Sequence, residues 1–477
     1  MTGLIWNDPV FAHGFAYRYD LPLPLHLYLI AAGAAVCLSF VVMAYTFHRK
    51  SALHSYKISL TRFIPGEKIS QGVRILVSGF SVTLFVLIIA AGLFGHQSVL
   101  KNPAPVMVWV IWWVGFVYLT ALVANIWPFL NPWSSIFQAL EELSGFSFGK
   151  INYPPRLGVW PAFVLFMVFS WIELVWSGSE RPRQLALTIL AYSVLCWIGM
   201  AIYGRQTWLK RGEVFSIVFS IFARFSPLEV RKSHKGPYLR PYGSGLLSRQ
   251  ASSFSLTTLV LAILAIVTFD GFMETPIWLE IKIGIVSITY LTPLLTIAQN
   301  AFGNLESILE TIGLVIAPIA FLFVYFITCG TISWLDSAHE GPERPPLTTN
   351  MAARQFVLTL VPIAIAYHLA HYLSYFLIAG QLFIPLMSDP FDLGWDLFNT
   401  ANHRINIGII NAKTVWHISI GVIVVGHMVA VYLAHVTALR VFVDRRRALV
   451  SQLPMIALMV SYTSFSLWIL AQPIVES

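Results

Sequence analysis

The sequence predicts an all-α, polytopic integral membrane protein, a helical bundle with about 10–11 transmembrane helices. Hydrophobic residues make up 57% of the 477 residues and charged residues only 11%, whereas soluble domains carry roughly 45–50% and about 25%. The apolar residues also form uninterrupted blocks of about 20, the length that an α-helix needs to cross a hydrocarbon core about 30 Å thick. These observations exclude a soluble globular enzyme. Because the blocks use most of the chain, any chemistry is expected among the helices or in their loops.

Ten blocks are long enough to cross the membrane. Their predicted limits are 25–46, 75–94, 105–124, 158–176, 185–203, 253–271, 306–333, 355–378, 412–435 and 454–472. An eleventh stretch, 281–300, carries Pro293 in its middle, and proline breaks or kinks a helix. We therefore predict ten full spans and a broken segment at 281–300. The pieces 126–133 and 214–225 are too short to span and are expected to be interfacial or re-entrant, buried against protein if they enter the membrane.

Lysine and arginine residues in the loops predict the orientation, because basic loops stay in the cytoplasm. The basic loops near 47–74 and 204–252 are placed there, and they account for the net charge of +8 without nucleic-acid binding. Residues 1–24 then form an external N-terminal segment, and they lack the basic start and cleavage site of a secretory signal. Residues 25–472 are predicted to form a single transmembrane domain, with the connection 379–411 outside.

Histidines inside the spans are candidates for chemistry, because ionisable residues are costly in a membrane. His368 and His371 lie three residues apart in span 355–378, which places them on one helix face. At a rise of about 1.5 Å per residue, His417 in the next span reaches a similar depth in the outer leaflet. Two imidazoles three residues apart on one helix, as in His368 and His371, can hold one metal ion. Hydrogen bonds from each histidine to a neighbouring helix are the structural alternative.

One carboxylate reaches the same predicted depth. Asp270 closes span 253–271 within the sequence TFDGF. A carboxylate beside several imidazoles suits zinc or a similar divalent transition metal. We therefore predict a metal site formed by His368, His371 and His417, with Asp270 as a candidate catalytic residue. A helix-end or interfacial role is the alternative for Asp270.

Further residues are candidates for supporting roles. His427 lies ~15 Å deeper than His417, too far to bind the same ion, and is a catalytic candidate in a supporting or separate site. A core hydrogen bond is the alternative for His427. Trp112 and Trp113 belong to interfacial belts and packing, or line a pocket for an aromatic, lipid-soluble substrate. The sequence contains no nucleotide-binding glycine loop, nucleophile elbow or haem-attachment motif.

Several strings resemble the fenitrothion hydrolase family of membrane proteins, and the resemblance runs nearly end to end. They are FAHGFAYRYDLPLP at 11–24, NPW at 131–133, RPRQLALTILAYSVLCWIGMAIYG at 181–204, IFARFSPLE at 221–229, TFDGF at 268–272, AYHLAHYLSYFLIAGQ at 366–381 and GH…AH at 426–435. The resemblance implies hydrolysis, in the cell inner membrane, of an organophosphorus triester such as fenitrothion to a nitrophenol and a dialkyl thiophosphate. It carries over no catalytic residues.

The residues are compatible with that reaction. A metal-bound hydroxide would attack phosphorus, with Asp270 or a neighbouring imidazole as general base. An apolar aromatic substrate would partition into the bilayer, which gives a membrane-embedded site a physical reason.

Two other classes of protein fit the same histidines. Paired histidines on adjacent helices can ligate a b-type haem, which would make the chain a redox protein. In a transporter or channel, the histidines would line a proton or metal pathway beside broken segments such as 281–300. The absence of a clear pair of inverted halves argues mildly against a transporter.

Overall fold

Ten long apolar helices make up most of the part of the chain that the structure describes, as the sequence predicts. The structure is a computed structural model, and it describes residues 23–46, 57–60, 67–229, 237–247, 251–337, 347–442 and 444–472. Within these ranges, the ten helices long and apolar enough to cross a membrane are α1 Leu25–Thr46, α2 Gln71–Phe94, α3 Pro103–Leu122, α4 Pro155–Leu174, α5 Pro182–Tyr203, α6 Phe254–Met273, α7 Leu305–Ser337, α8 Thr349–Ser388, α9 Ala412–Val441 and α10 Arg445–Leu470. The predicted N-terminal segment lies, up to residue 22, outside the described residues.

Some of these helices are composite. The middle of α3, Val106–Gly115, is a wider π-helix. In α8, the 3₁₀ turns Val357–Leu360 and Gly380–Leu382 join the α-helical pieces Thr349–Phe356, Val361–Ala379 and Phe383–Ser388, so this helix is longer than the predicted span. Helix α10 consists of Arg445–Val450 and Leu453–Leu470. Other short 3₁₀ turns are Val99–Lys101, Pro155–Leu157, Ser244–Leu246, Thr289–Leu291 and Ile407–Ile409.

The segment predicted at 281–300 is broken, but not at Pro293. Its two helices, Pro276–Ser287 and Thr292–Phe302, belong to a pair bent by 70°. The break follows the first helix, where Ile288 has an extended backbone. Pro293 instead lies in the first turn of the second helix, where its missing N–H costs nothing. The expected position of the break was therefore wrong, because a proline can start a helix as well as interrupt one.

Lys282 anchors the bent pair. It is a buried side chain, and its Nζ lies 2.5 Å from Glu306 Oε1 and 3.8 Å from Glu310 Oε1 on α7. A buried ammonium needs such partners, because an unpaired charge is costly away from water. This contact holds the bent pair against the start of α7.

Besides the bent pair, four short helices of the described ranges lie outside the ten spans: Trp127–Leu130, Pro132–Ser144, Arg205–Arg211 and Val214–Phe222. The last of these is almost entirely buried, as expected for a piece too short to span. Glu213 caps it by accepting hydrogen bonds from the backbone N–H groups of Phe215 and Ser216, at 2.9 and 2.7 Å. Burial raises the pKa of the Glu213 carboxyl, and these hydrogen bonds partly offset the shift.

A small sheet joins the two loops predicted to be cytoplasmic. Strands β1 Ile58–Ser59, β2 Leu228–Glu229 and β3 Tyr238–Leu239 are antiparallel in the order β1-β3-β2. Glu229 pairs with Lys57 at 3.3 Å and with Arg240 at 3.0 Å. Both loops therefore lie on one face of the bundle, which we call the basic face.

The opposite face joins the connection between α2 and α3 to the connection 379–411, which is predicted to be external. Lys101, after α2, pairs with Asp392, after α8, at 3.0 Å. The relative arrangement of the loops thus follows the pattern of alternating spans.

Helices α6 and α8 occupy the centre of the bundle, where 78% and 83% of their apolar windows are buried. Helix α9 approaches α8 closely at Gly426. A Cβ atom on Gly426 would overlap the Cβ of Ala366 and lie 3.0 Å from the backbone oxygen of Pro362. Small residues at such points allow membrane helices to pack closely. Gly426 therefore sets the distance between α9 and α8.

Replacing Gly426 with valine should destabilise the bundle by about 1–3 kcal/mol, because extra methyl groups would overpack this crossing. The measurement is thermal unfolding of the purified protein in detergent. Gly421→Val is the matched control, since it lies on the same helix and no atom lies within 4 Å of its Cβ position. Equal melting temperatures for the two variants would contradict the packing role of Gly426.

Candidate active site

The central helices bring Asp270 and His371 together. Asp270 lies three residues before the end of α6, and its Oδ2 is 3.0 Å from Nε2 of His371 on α8. The two side chains are only 3% and 6% exposed. The hydroxyl of Tyr372 donates a second hydrogen bond to the same carboxylate oxygen. Because a buried carboxylate is costly without partners, these contacts tie α6 to α8.

Gly271 allows this approach. A Cβ atom at Gly271 would lie 2.5 Å from the Tyr367 hydroxyl and 3.5 Å from Cε1 of His371. Residue 271 must therefore be small for α8 to approach α6 at the level of Asp270. The sequence TFDGF thus supplies both the carboxylate and the space for its partner.

His368 lies one turn from His371 on the same side of α8. Its buried ring is 4.7 Å from the Tyr372 ring and 6.1 Å from the Trp113 ring, measured between centroids. The ring hydrogen-bonds the backbone of Val114. Its Nε2 atom is buried and has no hydrogen-bond partner among the described residues. A buried polar atom of this kind is rare in proteins, which makes His368 a candidate for a functional role.

Three more carboxylates interact with Asp270, His371 or the neighbouring Tyr375. Glu173, near the end of α4, interacts electrostatically with Asp270 and lies beside the Trp113 indole. Glu274 interacts electrostatically with His371, and Glu180 interacts with Tyr375 of α8. All three glutamates lie at or beyond the ends of α4 and α6 that are remote from the basic face. These carboxylates therefore lie on the side of the cluster that faces away from the basic face.

His417 does not join this cluster. Its side chain is exposed, and its Nδ1 lies 2.6 Å from the backbone oxygen of Lys413 on its own helix. The neighbouring Trp416 is the buried residue at this level. Matching depth along the membrane normal did not predict the rotation of α9, which directs His417 outward.

His427 occupies a separate part of the interior. Its Nδ1 lies 2.9 Å from the backbone oxygen of Ile423, and its ring centroid is 5.7 Å from that of Tyr462. Its Nε2 is buried and has no hydrogen-bond partner among the described residues. His427 thus makes the core hydrogen bond named above as its alternative, and a catalytic role for it stays a prediction.

The predicted ligand set does not fit a metal ion as these residues are arranged. Across the described ranges, no group of three or more His, Cys, Asp and Glu side chains is arranged to hold one. His417 is directed away, and Nε2 of His371 faces Asp270. A zinc-like ion at His368, His371 and His417 stays a prediction.

The fold and site define a polytopic helical membrane protein with a buried histidine–carboxylate cluster between its two central helices. No protein-family model, curated protein or solved structure matches the chain. Sequence reasoning missed Tyr372 and Glu173. Glu173 could have been found as an ionisable residue in an apolar span, and Tyr372 as the residue four positions after His368 on the same face.

Replacing Tyr372 with phenylalanine should lower the free energy of unfolding by about 1.5–3 kcal/mol, because the variant removes a hydrogen bond to a buried charged group. The measurement is again thermal unfolding in detergent. Tyr290→Phe is the control, because Tyr290 is 95% exposed and its hydroxyl should contribute little. A Tyr372→Phe protein as stable as the control would show that the hydroxyl does not stabilise Asp270.

Proposed function

We propose that the protein is a membrane-embedded hydrolase of apolar organophosphorus triesters, releasing a nitrophenol and a dialkyl thiophosphate from fenitrothion-like substrates. The observation that carries the proposal is the unpartnered Nε2 of His368 beside the Asp270–His371–Tyr372 cluster. An imidazole nitrogen without a partner in a buried polar site can accept a proton, as a general base must. The resemblance described above supplies the substrate class.

In the proposed reaction, Nε2 of His368 takes a proton from a water molecule. The water oxygen forms a bond to phosphorus, the phosphorus–oxygen bond to the aryl group breaks, and the nitrophenolate leaves with the electron pair. A nitrophenolate leaves readily without strong acid assistance. His371, held by Asp270, would supply positive charge near the developing negative charge. His368 returns its proton to water at the end of the cycle.

We further propose that the protein resides in the cell inner membrane with the basic face in the cytoplasm. The positive-inside rule supports this orientation, since Lys57, Arg240 and their loops lie on that face. Water would then reach the site from outside, past Glu173 and Glu180.

Replacing His368 or His371 with alanine should reduce nitrophenol release by roughly 10²–10⁴-fold, the range for loss of a general base. The assay uses washed membranes from a non-degrading host, with protein amount measured by immunoblot. His403→Ala is the control, since His403 is exposed outside the cluster. Full activity in both the His368 and His371 variants, at equal membrane insertion, would refute the site.

His417→Ala separates the two possible mechanisms. If His368 acts as the base without a metal, this variant should keep wild-type activity and a chelator should have no effect. Loss of activity both in the His417→Ala variant and on addition of the chelator would instead support the predicted three-histidine metal site.

Proton-coupled transport is a second candidate function. The observation that favours it is the series of carboxylates from Glu180 through Glu173 to Asp270, since ionisable residues in membrane spans mark proton pathways. Ion-dependent flux in proteoliposomes, without ester hydrolysis, would favour this function. A Soret band in the purified protein would favour haem instead.

A further inference from the structure

A large aromatic cavity lies between α2, α3, α4 and α5, apart from the cluster around Asp270. Its volume is about 270 Å³. We call it the aromatic cavity; its walls carry many aromatic rings, among them Trp109, Trp112, Trp127, Trp133, Phe169 and Phe215. Phe80 and Val168, which also line it, are 66% and 48% exposed. Because α2 and α4 are spanning helices, the cavity opens sideways, toward the lipid.

Most polar groups of the lining are already used inside the protein. Trp109, Trp127 and Trp133 donate their indole N–H groups to Ser179 O, Ser216 Oγ and Ser193 Oγ, at 3.0, 3.2 and 2.8 Å. The Tyr192 hydroxyl donates to Glu213 Oε1 at 2.6 Å, and Thr188 Oγ1 donates to Gln184 O at 2.9 Å. Ser81 donates to the backbone of Leu130. An occupant therefore finds few hydrogen-bond partners here.

The charge of the lining restricts the occupant further. Within the described part of the chain, no Asp, Glu, Lys or Arg side chain lines the cavity. A charged ligand would lose its hydration without compensation. The occupant must therefore be neutral.

The volume of the cavity and the aromatic rings of its walls indicate the chemical class of the occupant. A cavity of about 150 Å³ lined by apolar side chains binds benzene, so the aromatic cavity has room for a substituted ring or a bicyclic one. Rings pack favourably edge-to-face against such walls. For example, the ring centroid of Trp112 lies 4.4 Å from that of Phe215 and 5.8 Å from that of Trp127.

We propose that the aromatic cavity is a binding site for a neutral aromatic compound that arrives through the lipid. The Phe169 ring of its wall is 4.6 Å from Trp113, and Trp113 is 6.1 Å from His368. One indole thus separates the cavity from the candidate base. The identification of this compound with the substrate rests on the proposed function, whereas binding itself does not.

Photolabelling of the full-length protein in nanodiscs tests the proposal. The probe is a neutral aryl diazirine, and the adducts are located by mass spectrometry. We expect saturable labelling of residues 80–88 and 107–116 that excess naphthalene displaces and hexadecane does not. Displacement by hexadecane to the same extent would show that the cavity holds lipid acyl chains, and labelling that does not saturate would show that there is no site; either result overturns the proposal.

A cavity-filling variant adds a second test. Leu84 and Leu165 line the cavity, and the double variant Leu84→Phe/Leu165→Phe should weaken saturable labelling by about tenfold or more, since a loss of 1.4 kcal/mol is tenfold in affinity. Leu76→Phe is the matched control, because Leu76 lies on α2 and is 73% exposed. Undiminished labelling in a folded double variant would overturn the proposal. If the double variant does not fold, the competition experiment on the unaltered protein still decides.

Hydrolysis assays keep this proposal distinct from the proposed function. Saturable binding in a protein that hydrolyses no triester would refute the hydrolase function and leave the binding site in place. A hydrolase whose KM is unchanged in the double variant would show that the cavity does not deliver substrate.

Discussion

The burial of one carboxylate constrains the arrangement of the central helices. Asp270 lies almost fully buried in a bundle whose other interior groups are mostly apolar. An ionised carboxylate in such surroundings requires donors, and two donors to Asp270, His371 and Tyr372, come from α8. The two most buried helices are thereby fixed relative to one another at this level. Gly271 and Gly426 provide the close approaches that this arrangement needs on either side of α8.

Much of the fold follows from apolar length alone. All ten predicted spans correspond to helices of the structure, because the width of the hydrocarbon core sets the length of each apolar block. The bend between 276 and 302 was harder to predict. Its position depends on an extended residue, Ile288, that carries no composition signal, whereas the conspicuous Pro293 begins a helix.

The candidate site was only partly predictable, for a geometric reason. Residue number fixes the depth of a side chain along a helix but not the direction in which the helix presents it. His368 and His371 lie on one helix, so their relation to each other follows from their spacing. His417 lies on another helix whose rotation is set by packing, and there the neighbouring Trp416 faces inward, with its ring 5.6 Å from that of Tyr28. To predict which side chains of different helices meet, depth must therefore be combined with a second criterion, such as which face of α9 carries small and aromatic residues.

The proposed hydrolysis requires that water and an apolar ester both reach His368, and the bundle offers a physical basis for each. Water favours polar surroundings, and the carboxylates near Asp270 lie toward the face remote from the basic sheet. An apolar ester favours the lipid, and the aromatic cavity opens between helices that face it. Trp113 stands between the two environments, in contact with Phe169 on one side and with His368 on the other. It lies in the π-helical part of α3, a geometry that often accompanies functional sites. Trp113 thus lies between the aromatic cavity and the candidate base.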